Sequence, residues 1–173
     1  ALAAIEAGAD KIRINPGNIG SDEKVARVVE AAADKGIPIR VGVNSGSLEK
    51  KLLEKHGGVT AAALAESAVN TLDKIEQMGF DDLVLSIKSS NVKINYDAHM
   101  MVKDMTDHPL HIGITESGTP ANGRLKSAVG IGSLLLAGVG DTLRVSLTDD
   151  PVNEVIFGRR ILETVGLREK SIE

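Results

Sequence analysis

A chain of 173 residues with 42% apolar and 25% charged residues is large enough for one domain with a substantial core and short for two. It has no cysteine, so it offers no disulfide, thiolate nucleophile or cysteine-ligated zinc or iron–sulfur cluster, and its four histidines (His56, His99, His108, His111) show no metal-ligand spacing. A net charge of −4 and 2% aromatics argue against nucleic acid as a partner, no signal peptide is visible, and no apolar run nears the roughly 20 residues of a membrane span.

Residues 1–9 (ALAAIEAGA) read as the last turns of a helix stopped by Gly8; with no initiator methionine, the chain reads as a piece of a longer one. A first strand is expected over 11–15, ended by Pro16-Gly17-Asn18, with Ser21 or Asp22 capping a helix over 22–35 that carries Val25, Val28, Val29 and Ala32 at helical spacing. A second strand over 38–44, a polar connection with a short helix, and a long helix over 60–78 follow. Strands over 82–88, 110–115 and 141–147 alternate with helices over 95–107, 124–137 and 152–165, Pro151 falling near the first turn of the last. Residues 168–173 read as a linker or cut end. Strand–helix repeats of this kind force parallel strands.

Two architectures fit, an open doubly wound sheet or part of a (β/α)8 barrel. At period two the sets Ile12/Ile14, Ile39/Val41/Val43, Leu83/Leu85/Ile87, Leu110/Ile112/Ile114 and Leu143/Val145/Leu147 share one face. The opposite face holds Arg13/Asn15, Arg40/Gly42/Asn44, Ser86/Lys88, His111/Gly113/Thr115 and Arg144/Ser146. A doubly wound sheet covered on both sides would be apolar on both. One polar face on every strand, richest near the C-terminal ends, is the mouth of a barrel. The expected fold is therefore α/β, a partial (β/α)8 TIM barrel with five parallel strands, each followed by a helix; a complete barrel takes about 250 residues. Its two open strand edges predict self-association, testable by light scattering.

Arg13, Arg40, Lys88 and Arg144 come from separate strands, with Asn15, Asn44 and Ser146 beside them as neutral donors. Like charges gathered with few inward carboxylates are costly unless an anion joins them. Arginine forks and a lysine point charge suit phosphate oxygens, so the expected ligand is a polyanion, most simply a diphosphate. Glu116, on the loop after the fourth strand, serves either acid/base work or the anchoring of a substrate hydroxyl, or else pairs with one of the arginines. His111 points inward and deep, which favours core hydrogen bonding over catalysis, while His56, His99 and His108 are expected on the solvated surface. The glycine-rich run SAVGIGSLLLAGVG lies in a helix and reads as a packing device, not a nucleotide loop.

The segments RINPGNIG, IRVGVNSGSLEK, SIKSSN, HIGITESG and DTLRVSL, in that order along the whole chain, resemble the 4-hydroxy-3-methylbut-2-enyl diphosphate synthase family. The resemblance implies a TIM-barrel domain preceding a smaller [4Fe–4S] domain whose ligands are absent from this chain. It implies an oxidoreductase of bacterial, cytoplasmic isoprenoid biosynthesis by the non-mevalonate route. That enzyme reductively opens 2-C-methyl-D-erythritol 2,4-cyclodiphosphate, taking electrons from ferredoxin or flavodoxin, and works as a homodimer in which one subunit's cluster domain closes over its partner's barrel. By the same resemblance Arg13, Arg40, Lys88 and Arg144 hold the diphosphate with Asn15, Asn44 and Ser146 assisting. Glu116 matches the family's substrate-contacting glutamate, and Asn91 stands where the family usually has Asp. Residues 1–173 would then be a barrel fragment lacking the first strands and the cluster domain, inactive alone. A redox-free lyase or transferase barrel of pterin-synthase type, and a non-enzymatic phosphoester-binding domain, are the alternatives.

Overall fold

The structure, a computed structural model, describes residues 1–115 and 118–169. A short α1 (Leu2–Glu6) precedes β1 (Ile12–Ile14), a single turn α2 (Pro16–Ile19), α3 (Asp22–Lys35) and β2 (Ile39–Asn44). A 3-10 turn (Ser45–Ser47), α4 (Lys50–His56), α5 (Ala61–Glu76) and β3 (Leu83–Lys88) follow. Then come α6 (Val92–Val102), β4 (His111–Gly113), α7 (Pro120–Leu136), β5 (Thr142–Arg144) and α8 (Pro151–Thr164).

All strand pairs are parallel, β1–β2–β3 in one ladder and β4–β5 in another. A parallel bridge between Leu85 and Leu110, with the Leu85 N–H donating to the Pro109 carbonyl at 2.9 Å, joins the ladders in chain order. The result is the α/β partial barrel expected of the pattern. Among the described residues it does not close, and the outer edges of β1 and β5 carry no further strand.

The apolar face packs outward on the helices. Ile12, Ile14, Ile39, Val41, Val43, Leu83, Leu85, Ile87 and Ile112 are buried against α3, α5, α6 and α7. Burying each such side chain contributes about 1.5–3 kcal/mol, which fixes strand orientation because a one-residue slip would expose the whole set. The helix ends follow their capping residues. Ser21 precedes α3, whose first turn holds Asp22 and Glu23, and Gly36 closes it at φ 62. Thr60 accepts from Ala63 N–H ahead of α5, and Asp150 with Pro151 opens α8. In α7 the glycines do pack: a Cβ at Gly130 would stand 2.5 Å from Ile114 Cδ1.

Several expectations need correction. Helix α6 starts at Val92, three residues earlier than 95, because the Asn91 side chain accepts from Ile94 N–H and caps it. Helix α7 begins at Pro120, inside what reads as a loop in the sequence. The fourth and fifth strands are Ile-centred or Leu-centred triplets, shorter than 110–115 and 141–147. At β5 the Leu147 N–H, a donor for a longer ladder, instead meets Glu154 Oε1 at 2.9 Å. His99 is not on the surface: it is 1% exposed, and its Nδ1 lies 2.7 Å from the Asn95 carbonyl. His56 and His108 are part-buried and face Glu66 and Glu76 of α5, each at 2.8 or 2.7 Å.

Candidate functional site: a cationic barrel mouth

The parallel register gathers the inward side chains. Arg13 pairs with Arg40 across β1–β2, Asn44 with Lys88 across β2–β3, and Gly113 with Arg144 across β4–β5. Two glycines make room for the cations. The Arg13 side chain crosses Gly42, where any Cβ would collide with its guanidinium, and donates from Nη2 to the Gly42 carbonyl at 2.9 Å. The Lys88 chain crosses Gly113, its Cε 3.4 Å from where a Cβ would stand. Neither glycine is a site residue in the sequence reading. The available signal was a glycine inside an otherwise β-branched strand, which marks a close approach.

Arg40 is half-buried and its Nε is buried without a hydrogen-bond partner. Burial, then the nearby Arg13 and Arg144, hold its pKa below the usual arginine value. The Lys88 ammonium is pushed down to about 8, first by burial and then by Arg40, Arg144 and Arg13, with Glu154 opposing weakly. His111 is buried, with Nδ1 2.9 Å from Thr142 Oγ1 and a buried, unpartnered Nε2. Burial and then Lys88, Arg40, Lys11 and Arg144 lower it to about 3, so it is neutral at physiological pH. Arg144, exposed like Arg13, differs from the other three in having a carboxylate partner: its Nε meets Glu154 Oε2 at 3.3 Å. Among the described residues no carboxylate lies within ion-pair distance of Arg13, Arg40 or Lys88.

The neutral residues divide. Asn44 is half-buried beside Lys88, and Ser146 is half-buried two residues past β5. Asn15 is engaged locally: its Oδ1 accepts from Gly17 N–H at 3.0 Å and its Nδ2 donates to Ser47 Oγ at 2.8 Å. It thereby ties the loop after β1 to the loop after β2, and Gly17 is required there because a Cβ would strike the Ser47 carbonyl. Glu116 lies outside the described residues. Asn91, as a helix cap, supplies the acceptor an aspartate would also supply. A cleft of about 480 Å³ beside α3 and α5, lined by Asp22, Lys74 and Glu49, contains none of the four cations.

Such a mouth can bind an oxyanion, orient it against the β3 and β4 ends, and offer it a titratable amine. It does not fit a metal centre of its own: among the described residues no three His, Cys, Asp or Glu side chains come together, and an iron–sulfur cluster has no cysteine here. No helix of the described residues is long and apolar enough to cross a membrane.

Comparison with known proteins gives these residues a context. The chain is 55% identical over its whole length to a protein of Caldanaerobacter subterraneus subsp. tengcongensis, covering 49% of it. It is 53% identical to one of Fusobacterium nucleatum, again covering 49%, and 54% identical to one of Clostridium perfringens, covering 50%. Each of these relatives is named 4-hydroxy-3-methylbut-2-en-1-yl diphosphate synthase (flavodoxin), and the chain spans about half their length. Over residues 1–159 it also matches the GcpE TIM-barrel domain, and it belongs to that family.

Proposed function

We propose that this chain is the substrate-holding barrel of a 4-hydroxy-3-methylbut-2-en-1-yl diphosphate synthase, gripping the diphosphate of 2-C-methyl-D-erythritol 2,4-cyclodiphosphate. The observation that carries the reading is the cluster of Arg13, Arg40 and Lys88, inward-facing and without a carboxylate partner among the described residues. Clustered cations of this kind are stable only weakly by themselves, and a doubly phosphorylated ligand relieves the repulsion while accepting charge-assisted hydrogen bonds. Arg13 and Arg40 form the deeper part of the grip, Lys88 a point charge at the end of β3, and Arg144 with Asn44 and Ser146 its outer rim. Asn15 supports the loops rather than spending both polar atoms on the ligand. Glu116 is assigned by family resemblance to contact with the substrate, in proton transfer or in hydroxyl loss.

The whole enzyme would be a cytoplasmic, homodimeric oxidoreductase, and the word flavodoxin in its relatives' names supports that protein as its electron donor. The [4Fe–4S] cluster belongs to another part of that enzyme, since this chain's residues do not fit it. What the barrel does is bind the cyclic diphosphate and fix its phosphates at the C-terminal ends of the strands. Calorimetric titration with the cyclic diphosphate tests this: binding is expected, lost or sharply weakened in Arg40→Ala with folding intact. No product is expected from the chain alone with any reductant. Heatless titration of a folded chain, or turnover by it, would overturn the proposal.

A further inference from the structure

We propose that Lys88 is a nucleophilic amine that captures phosphorylated aldehydes as an imine, their phosphate held by the neighbouring guanidinium groups. The inference rests on the anion-binding reading above and adds a covalent reaction to it. Lys88 is the last residue of β3, faces the barrel interior and reaches over Gly113, where an added Cβ would stand 3.4 Å from its Cε. Arg13 faces it from β1, Arg40 from β2, His111 from β4 and Arg144 from β5, while Glu154 of α8 is the one carboxylate that acts on it among the described residues. Lys55, Lys74 and Lys93, by contrast, each sit within 3 Å of a carboxylate on the surface. An amine crowded by cations and shielded from water is the arrangement that activates lysine toward carbonyl carbon, because it favours the neutral form.

In the step, the Nζ lone pair attacks the aldehyde carbon and the carbinolamine loses water, so that C=N replaces C=O. The phosphate supplies selectivity by docking on Arg40, Arg13 and Arg144, and borohydride, added as the reductant, converts the imine to a stable secondary amine. At pH 8 a lysine titrating near 8 is about half neutral, whereas an ordinary lysine near 10.4 is roughly 0.4% neutral.

The test treats the full-length protein with pyridoxal 5′-phosphate at pH 8, reduces with borohydride, and maps the adduct by peptide mass spectrometry, with pyridoxal as the phosphate-free control. The expected result is labelling of Lys88 at least about 10-fold faster than any other lysine, slower with pyridoxal, blocked by inorganic pyrophosphate and absent in Lys88→Arg. Pyrophosphate binding without preferential labelling of Lys88 would overturn the inference and leave the anion pocket standing. Loss of both pyrophosphate binding and labelling in a protein folded by circular dichroism would overturn the two together.

Discussion

Arg40 and Arg144 look alike in sequence: each sits in a short strand between apolar neighbours and points to the barrel interior. Their surroundings differ. Arg40 is half-buried in the interior of a three-stranded ladder, with an unpartnered Nε and no carboxylate among the described residues. Arg144 stands on the edge strand, its side chain 59% exposed, with Glu154 as counter-ion. A pre-paired, solvated guanidinium has little to gain from a new anion, whereas a desolvated and repelled one gains most. The β1–β3 half should therefore supply most of the binding energy and the β4–β5 half the shape.

The largest expected effect is at the seam where the two halves share space. Gly113→Ala places a Cβ 2.6 Å from the Arg144 carbonyl oxygen, a backbone atom in the β4–β5 ladder that cannot rotate away. Overpacking of this kind typically costs about 1–3 kcal/mol, here with displacement of Lys88 as well. Denaturant unfolding should show a loss near the top of that range together with weak anion binding. The atoms nearest a Cβ in Gly42→Ala belong to the Arg13 side chain, which can move, so this variant should cost less stability while still lowering affinity. Equal stability losses in the two variants would erase the distinction between them.

Next in size is the direct comparison of the two arginines. Hydrogen bonds to charged groups contribute about 1.5–3 kcal/mol each, so Arg40→Ala should weaken pyrophosphate binding by roughly 10- to 100-fold. Arg144→Ala, removing a screened and already paired charge, should weaken it by no more than about 5-fold. In the ligand-free chain Arg40→Ala should leave stability unchanged or raised, since it removes repulsion with Arg13 and an orphaned buried donor. Isothermal titration and thermal melts measure both. A larger binding loss from Arg144→Ala would reverse the assignment of the two halves.

Much of this was legible in the sequence, and for identifiable reasons. Period-two alternation sorted Ile39, Val41 and Val43 from Arg40 and Asn44, because a parallel strand in a barrel mouth has one wet face and one dry. The α3 boundaries followed from Val25, Val28, Val29, Ala32 and Gly36, local signals that tertiary contacts only reinforce. Pairing was not legible: nothing along the chain says that Glu154, ten residues past Arg144, folds back onto it. Nor does the string show that Asn15 is engaged with Ser47, or that His99 faces inward, since both depend on how the loops and α6 dock. Gly42 and Gly113 are visible as letters, but their role emerges only with the cations lying across them.

The titration of Lys88 sharpens the same contrast more gently. Its pKa falls from the usual lysine value to about 8 in the folded chain, so between about 8 and 10.5 the unfolded chain holds the extra proton. Stability from this group therefore rises with pH across that window, the penalty of burying the ammonium beside the arginines being fully present below about 8. A polyanion in the mouth offsets the cations but not the burial, so it should raise this pKa only part of the way, and binding at pH 8.0–8.5 should take up a fraction of a proton per site, roughly 0.2–0.5. Calorimetry in buffers of different ionisation enthalpy reads this uptake directly. Its absence would mean that the anion settles away from Lys88.

The smallest effect comes from releasing Arg144. Glu154→Gln keeps an oxygen to accept the Leu147 N–H but removes the negative charge beside Arg144. The guanidinium of this pair is 59% exposed though its carboxylate is only 14% exposed, so the pair contributes about 1 kcal/mol or less and little folding stability is at stake. With its counter-ion gone, Arg144 should answer to the incoming phosphate instead, and pyrophosphate affinity should rise about 2- to 3-fold, more at low salt than at high. The double variant Arg144→Ala/Glu154→Gln should lose that gain entirely, because the carboxylate acts on the anion chiefly through the guanidinium it occupies. A fall in affinity in the single variant would instead make Glu154 the residue that aims Arg144 into the mouth, and the edge strand would then join the binding half of the molecule.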